Sequence, residues 1–279
     1  MSVKNKVSSQ RVGLDMGLAI GRFFLNTEDL HYGYWPKGKT ATIQNFAEAQ
    51  KAHSKLIIDH IPDGTQRILD VGSGSGNLAL KLINKGFQVD CVIPSEFLAE
   101  QVQAKLGNQS TIHICGFEDV PESEKYDLIL FSESFQYVKL GESMVKIMTM
   151  LNPGGHLLIC DFFRRDVLGK SPMGGGHSWQ GFQDIITKHP LKMVTDLDIT
   201  KETAPTIDLL AKFNADVVTP ISEMSGEYLI DHYPRITRLL QWKFKKRIEK
   251  ISRIYLSGAV NGYSFKQFKE YHLLVYEKM

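Results

Sequence analysis

The stretch that most constrains this chain is Arg67-Ile68-Leu69-Asp70-Val71-Gly72-Ser73-Gly74-Ser75-Gly76-Asn77-Leu78. Ile68 to Val71 reads as a short buried strand that carries an acid, Asp70, near its end. Three glycines then follow at alternate positions. Ser75 or Gly76 can begin a helix whose apolar positions are Leu78, Leu80, Leu82 and Ile83. Glycine is what a backbone needs when it must turn sharply and let a ligand lie against it. The first turn of the following helix offers N–H groups that have no partner within the helix. The stretch therefore predicts a strand–turn–helix unit with a ligand at the turn.

The dinucleotide fingerprint G-x-G-x-x-G is the first spacing to test. It fails, because Asn77 stands where the third glycine should be. The spacing is G-x-G-x-G behind Asp-Val, and it resembles the first motif of class I S-adenosylmethionine (SAM) methyltransferases. That resemblance implies an α/β fold: a Rossmann-like, seven-stranded, mostly parallel sheet with helices on both faces and a helical lid. It also implies SAM as cofactor and S-adenosylhomocysteine as product.

The rest of the chain alternates in the same manner. Helix is expected over 46–60, 76–85, 96–105, 140–151 and 179–188, and strand over 67–71, 87–93, 111–115, 126–131, 156–161, 192–199 and 271–277. Alternating strands and helices predict a parallel sheet covered on both faces. Asn152-Pro153-Gly154-Gly155 should stop a helix and turn into the fifth strand. Residues from about 203 to 257 are largely helical in pattern. The expected division is an N-terminal helical arm over 1–54, a SAM-binding core over 55–202, a helical lid insertion over 203–257, and a last strand within 258–279 that completes the core.

A length of 279 residues permits one large domain with an inserted cap. The formal net charge of +2 gives no global field toward nucleic acid or membrane. Cys91, Cys115 and Cys160 fall in expected strands and form no C-x-x-C pair, so they read as buried reduced thiols of a cytoplasmic protein. Met1 to Gln10 lacks an apolar signal core, and no apolar run reaches the about 18 residues of a membrane span.

The resemblance assigns Asp70, Gly72, Ser73, Gly74 and Gly76 to the methionyl end of SAM. The second strand departs from the family pattern. Its end carries Ile93 where a carboxylate usually accepts both ribose hydroxyls. Ser95 or Glu96 is the available substitute, and Glu96 alternatively serves the helix dipole. Cys115-Gly116-Phe117-Glu118-Asp119 resembles the segment that meets adenine, with the usual acid replaced by Gly116. Phe117 and Glu118 remain as candidates there. The segment Ser132-Glu133-Ser134-Phe135-Gln136-Tyr137 should lie under the methionyl group, with Ser132 nearest the cofactor.

On the substrate side, His31-Tyr32-Gly33-Tyr34-Trp35 is similar to a segment of sterol, tocopherol and alkaloid methyltransferases that folds over SAM. The faces of Tyr32 and Tyr34 suit a sulfonium cation. An O–H or C–H acceptor needs a base. The candidates are His31, Glu133, Tyr137, His177 and His232, with His177, Tyr137 and His31 favoured as catalytic and His177 set behind a mobile glycine loop, Met173 to Gly176. No metal-ligand spacing occurs, and Asp161 alone is no magnesium site. Residues 235–255 form a basic amphipathic stretch that reads as a lid helix or as a peripheral membrane contact. The expected activity is methyl transfer to O or N, with C or S also open, of a small, partly hydrophobic molecule. The alternatives are a non-catalytic SAM-fold binder and an RNA or protein methyltransferase, the latter without any recognition module.

Overall fold

A computed structural model describes residues 9–252 and 257–279 of the chain. Helices α1 (Ser9–Ile20) and α2 (Phe46–Asp59) precede the first strand. The core then runs β1 (Arg67–Val71), α3 (Asn77–Ile83), β2 (Gln88–Val92), α4 (Glu96–Leu106), β3 (Ile112–His113), β4 (Tyr126–Ser132), α5 (Leu140–Met150), β5 (Leu151–Arg164), α6 (Trp179–Ile186) and β6 (Leu191–Asp198). Helices α7 (Thr200–Phe213), α8 (Thr219–His232), α9 (Pro234–Ile251) and α10 (Gly262–Phe268) follow before β7 (Lys269–Lys278).

The seven strands form one sheet in the order β3-β2-β1-β4-β5-β7-β6. β1 pairs in parallel with both β2 and β4, while β7 lies antiparallel between β5 and β6. Burial on both faces explains the near-continuous apolar strands. Ile68 packs into the cluster on one face, and Leu69 and Val71 into the cluster on the other. The chain steps outward from β1 to β3 and then returns to β4 on the far side of β1. That reversal opens a crevice beyond the carboxyl ends of β1 and β4. Asp70 and Glu133 therefore both reach that crevice by topology.

The expected third strand shrinks to Ile112–His113, because only Cys91↔Ile112 and Val92↔His113 pair at this sheet edge. Cys115 therefore lies in a loop and is partly exposed, while Cys91 and Cys160 are buried. The fifth strand is longer than expected at both ends. Its register shifts across Asn152–Gly155, which continue the strand instead of separating it from α5. At its other end Arg164 still pairs with Lys269. Helix α10 was not anticipated, although Asn261 and Ser264 form a capping box at its start. The helical stretch is α7, a π-turn over Asn214–Val218, α8 and α9, with Tyr233 between the last two. Residues 1–8 of the expected arm, and Arg253 and Ile254 of the basic stretch, lie outside the described residues.

Candidate active site

The turn after β1 is built by backbone bonds. Gly72 N–H donates to the Val92 carbonyl at 2.8 Å, and Gly76 N–H to the Ser73 carbonyl at 2.8 Å. Gly72, Gly74 and Gly76 all have positive φ. Packing separates their reasons. A Cβ on Gly72 would lie 2.4 Å from Ser134 Cβ, and one on Gly76 would lie 2.9 Å from Val102 Cγ2. A Cβ on Gly74 would meet nothing nearer than Leu30 Cδ1 at 3.7 Å. Gly72 and Gly76 are thus fixed by the protein's own close approach, and Gly74 faces a space bordered by Leu30 at van der Waals distance.

That space is a cavity of about 470 Å³, within the range of small-molecule sites. Its wall includes Gly72, Ser73, Gly74, Ile93, Ser95 and Ser132, together with Tyr32, Glu133, Gln136, Tyr137, Phe162 and Met173. Two buried polar atoms in that wall, Asp70 Oδ2 and Ser132 Oγ, have no hydrogen-bond partner. Buried polar groups ordinarily find partners, so an orphaned pair at adjacent strand ends points to a ligand. Burial pushes the Asp70 carboxyl up to about 7. Ser95 caps α4 by accepting from Leu98 N–H at 3.3 Å, which leaves its hydroxyl hydrogen free to donate.

Glu133 sits at the end of β4 with φ +55°, in the left-handed region that non-glycine residues rarely occupy. Strain of this kind persists only where its surroundings hold it. Here Glu133 N–H donates to the Cys160 carbonyl at 2.9 Å. Its Oε1 accepts from Tyr32 N–H at 2.7 Å and from Tyr271 Oη at 2.8 Å. Tyr271 in turn accepts from His53 Nε2 at 2.9 Å. Burial pushes the Glu133 carboxyl up to about 8, against those two donors, and Asp161 nearby adds like charge. Asp161 accepts from Gln136 N–H at 3.0 Å and from Phe162 N–H at 2.8 Å, which fixes the loop after β4.

The N-terminal arm is tied to the first turn of α3. Asp29 accepts from Asn77 Nδ2 and from Lys81 Nζ, each at 2.9 Å. Lys81 also donates to Ser54 Oγ at 2.8 Å, so the Ser54 hydroxyl hydrogen goes to His31 Nε2 at 3.1 Å. His31 Nδ1–H donates to the Tyr32 carbonyl at 2.8 Å. Trp35 is buried and donates through Nε1 to Thr206 Oγ1 at 2.9 Å, which fastens the arm to α7.

A methyltransferase-domain family profile matches residues 39–200, more than half of the chain. The chain belongs to the methyltransferase-domain family. An uncharacterized methyltransferase of Staphylococcus carnosus is 26% identical over 167 residues, covering 57% of this chain and 80% of the relative. Among solved structures, a geranyl diphosphate C-methyltransferase from Streptomyces coelicolor, in complex with Mg²⁺, a geranyl thiolodiphosphate and S-adenosylhomocysteine, superposes with TM-score 0.67 at 15% identity, covering 99% of this chain and 100% of that one. A cyclopropane synthase from Mycobacterium tuberculosis superposes with TM-score 0.69 at 16% identity, covering 98% and 100%. These likenesses show that the methyltransferase shares their fold.

The methyltransferase brings Asp70, Gly72, Ser73, Gly74, Ser95, Ser132, His31, Tyr32 and Tyr137 to one cavity. Gly76, Tyr34, Phe117, Glu118 and His177 are not on its wall. Glu118 turns toward α5, where Oε1 accepts from Lys139 N–H at 2.7 Å. Phe117 is buried edge-on against Phe131, with ring centroids 5.4 Å apart. Tyr34 packs into the core, and its N–H donates to the Ala49 carbonyl at 2.9 Å. His177 Nε2 donates to the Phe135 carbonyl at 3.0 Å, and burial lowers the pKa of its ring. That nitrogen is spent on holding the loop after β4. His31 reaches the wall with both nitrogens engaged, so it is a support and not a free base. His232 stacks on Tyr228 at the exposed end of α8.

The glycine loop is also more restrained than its sequence suggests. Lys269 is buried, donates from Nζ to the carbonyls of Gly174 and Gly175, and lies 5.3 Å over the Phe162 ring. Sequence reasoning missed Lys269, His53 and Tyr271, which join the site from far along the chain. Glu133 was visible as a base candidate, but its rank above the histidines came only from the fold.

Proposed function

We propose that this methyltransferase transfers the methyl group of SAM to an O or N atom of a small, partly apolar, non-anionic molecule, with Glu133 as proton acceptor. The observation that carries the reading is the orphaned pair Asp70 Oδ2 and Ser132 Oγ in one cavity with Glu133. SAM carries an ammonium group and a carboxylate at its methionyl end. Asp70 is the acceptor available to the ammonium, and the open face of Gly74 leaves room for the chain between. Ser95 stands in the wall beside Ile93 and supplies a hydroxyl toward the ribose in place of a carboxylate.

Bound SAM supplies a methyl carbon on a positively charged sulfur, open to in-line attack. The protein's task is to align the acceptor and exclude water. Tyr32 and Phe162, with nearly parallel rings 6.3 Å apart, and Tyr137 are the aromatic residues of the cavity wall. The acceptor's proton passes to the Glu133 carboxylate. The raised pKa suits that role, because a carboxyl near neutrality is a far stronger base than one near 4.5. A cation in the cavity favours the ionised form of Glu133, so entry of a sulfonium ligand readies the base.

Among the described residues lining the cavity, Asp29, Asp70 and Glu133 are acidic and none is Lys or Arg. This favours a neutral or cationic acceptor. The solved C-methyltransferase holds a diphosphate analogue together with Mg²⁺. No group of three metal-ligating side chains occurs here among the described residues.

Calorimetric titration with SAM, and in parallel with NAD, tests the cofactor. Saturable SAM binding without NAD binding is expected. Gly74→Val should abolish it, because a branched side chain would occupy the open space beside Gly74. Binding of SAM by Gly74→Val with parental affinity would place the cofactor elsewhere. Absence of SAM binding by the parent would favour a non-catalytic binder, the reading that Ile93 at the ribose position supports.

A further inference from the structure

Helix α9 leaves an apolar stripe without a partner. Ile236, Leu240, Phe244 and Ile248 recur every fourth residue, a stripe about 120° wide on a helix. Their exposures are 60%, 48%, 38% and 46%, while Trp242, 77% exposed, stands on the opposite face of the helix among the charged residues. Helix α8 adds exposed Met224, Tyr228 and Ile230 and buries no residue of its own. Exposed apolar area on this scale marks an interaction surface.

The charge on the same helix selects the partner. α9 contains seven Lys or Arg and one Glu, whereas the whole chain carries a formal net charge of only +2. At helical spacing, Lys243 borders the Ile236 edge of the stripe, Arg247 lies within that edge, and Lys245 and Arg238 follow beyond the Ile248 edge. Among the described residues only Lys245 of these has a carboxylate within reach, Glu249 at 4.0 Å. Nucleic acid would satisfy the cations and leave the aliphatic stripe in water. A second copy of this chain would bury the stripe and set the cations against each other. An anionic lipid surface satisfies both: the stripe enters the acyl boundary, and the basic stems reach back to the headgroups. No helix among the described residues is long and apolar enough to cross a membrane, so the contact lies in the plane of the surface.

We propose that α9 docks this methyltransferase on anionic membrane surfaces through the Ile236–Ile248 stripe and its flanking Lys and Arg side chains. The test uses the full chain with vesicles of phosphatidylcholine alone and of phosphatidylcholine and phosphatidylglycerol in equal parts. Co-sedimentation should favour the anionic vesicles by about tenfold or more and weaken at high salt, since each basic residue near the surface adds its own attraction. Phe244→Trp made in the Trp242→Phe background places the reporter in the stripe, and its emission should shift to the blue on binding. Two variants separate the contributions, and both alter exposed positions only. Lys243→Glu with Lys245→Glu, Lys246→Glu and Arg247→Glu should abolish binding. Leu240→Ser with Phe244→Ser should weaken it while leaving the thermal midpoint unchanged. Equal binding to both vesicle types, or none to either, overturns the proposal. So would concentration-dependent dimerisation lost in Leu240→Ser with Phe244→Ser, which would assign the stripe to a second copy.

Discussion

Replacing Glu133 by Gln should stabilise the ligand-free protein at alkaline pH while removing its proton acceptor. Gln keeps a carbonyl oxygen for the Tyr32 N–H and Tyr271 hydroxyl donors, so the packing around it is preserved. Burial holds the Glu133 carboxyl at about 8, against an ordinary value of 4.5. A group whose folded pKa is raised retains a proton that the unfolded chain releases. Stability therefore falls as pH climbs from about 4.5 through about 8, and the loss is complete above that window. At about 1.36 kcal/mol per pKa unit, the ceiling is about 5 kcal/mol. Water in the open cavity screens the ionised carboxylate, and about 2–3 kcal/mol is the expected difference. For a chain of this size that is about 5–10 °C in thermal midpoint. The assay is thermal or denaturant unfolding of parent and Glu133→Gln without SAM, once below pH 4.5 and once above pH 8. The variant should gain on the parent between the two conditions. Parallel pH profiles would falsify the reasoning, because they would mean that Glu133 ionises in the folded protein as it does in water. Asp70 and Asp161 are raised in both proteins, so their own contributions largely cancel in the comparison.

Three further outcomes follow from particular contacts. Lys269→Met should free the carbonyls of Gly174 and Gly175, and amide exchange over Met173–Gly176 should accelerate by about tenfold or more; unchanged protection would mean the loop is held by other contacts. His177→Ala removes one hydrogen bond to the Phe135 carbonyl, which should cost about 1–2 kcal/mol of stability and leave the pH dependence of turnover in place. A changed pH profile there would return His177 to the chemistry. Only Cys115 should react promptly with a thiol reagent in the native protein, because Cys91 is buried with its thiol pushed up to about 12 and Cys160 is buried with its thiol held well above the ordinary value by burial. Rapid titration of more than one thiol would contradict the packing of β2 and β5.

The local chemistry of the sequence determined the elements and the turn. The apolar run before Asp70, the glycines after it and the alternation of strands with helices are contained in short stretches, and the strand, the turn and the crevice lie where that pattern requires. Where elements depend on distant partners, the sequence misjudged them. β3 shortened because its edge offers few pairings, and β5 lengthened because β7 continues to pair with it. The ranking of candidate bases was decided by tertiary structure alone. The sequence favours His177, Tyr137 and His31 as catalytic, yet His31 has both nitrogens engaged and His177 holds the Phe135 carbonyl through Nε2, while His232 lies on an exposed helix. Glu133 is an ordinary acid in the sequence. Its carboxyl is pushed up because the fold buries it and brings Asp161 near, against the Tyr32 and Tyr271 donors. Periodicity and turn residues act over a few positions of chain, so a sequence displays them directly. Desolvation and charge coupling act through space, between residues more than a hundred positions apart, and only the folded chain sets those distances.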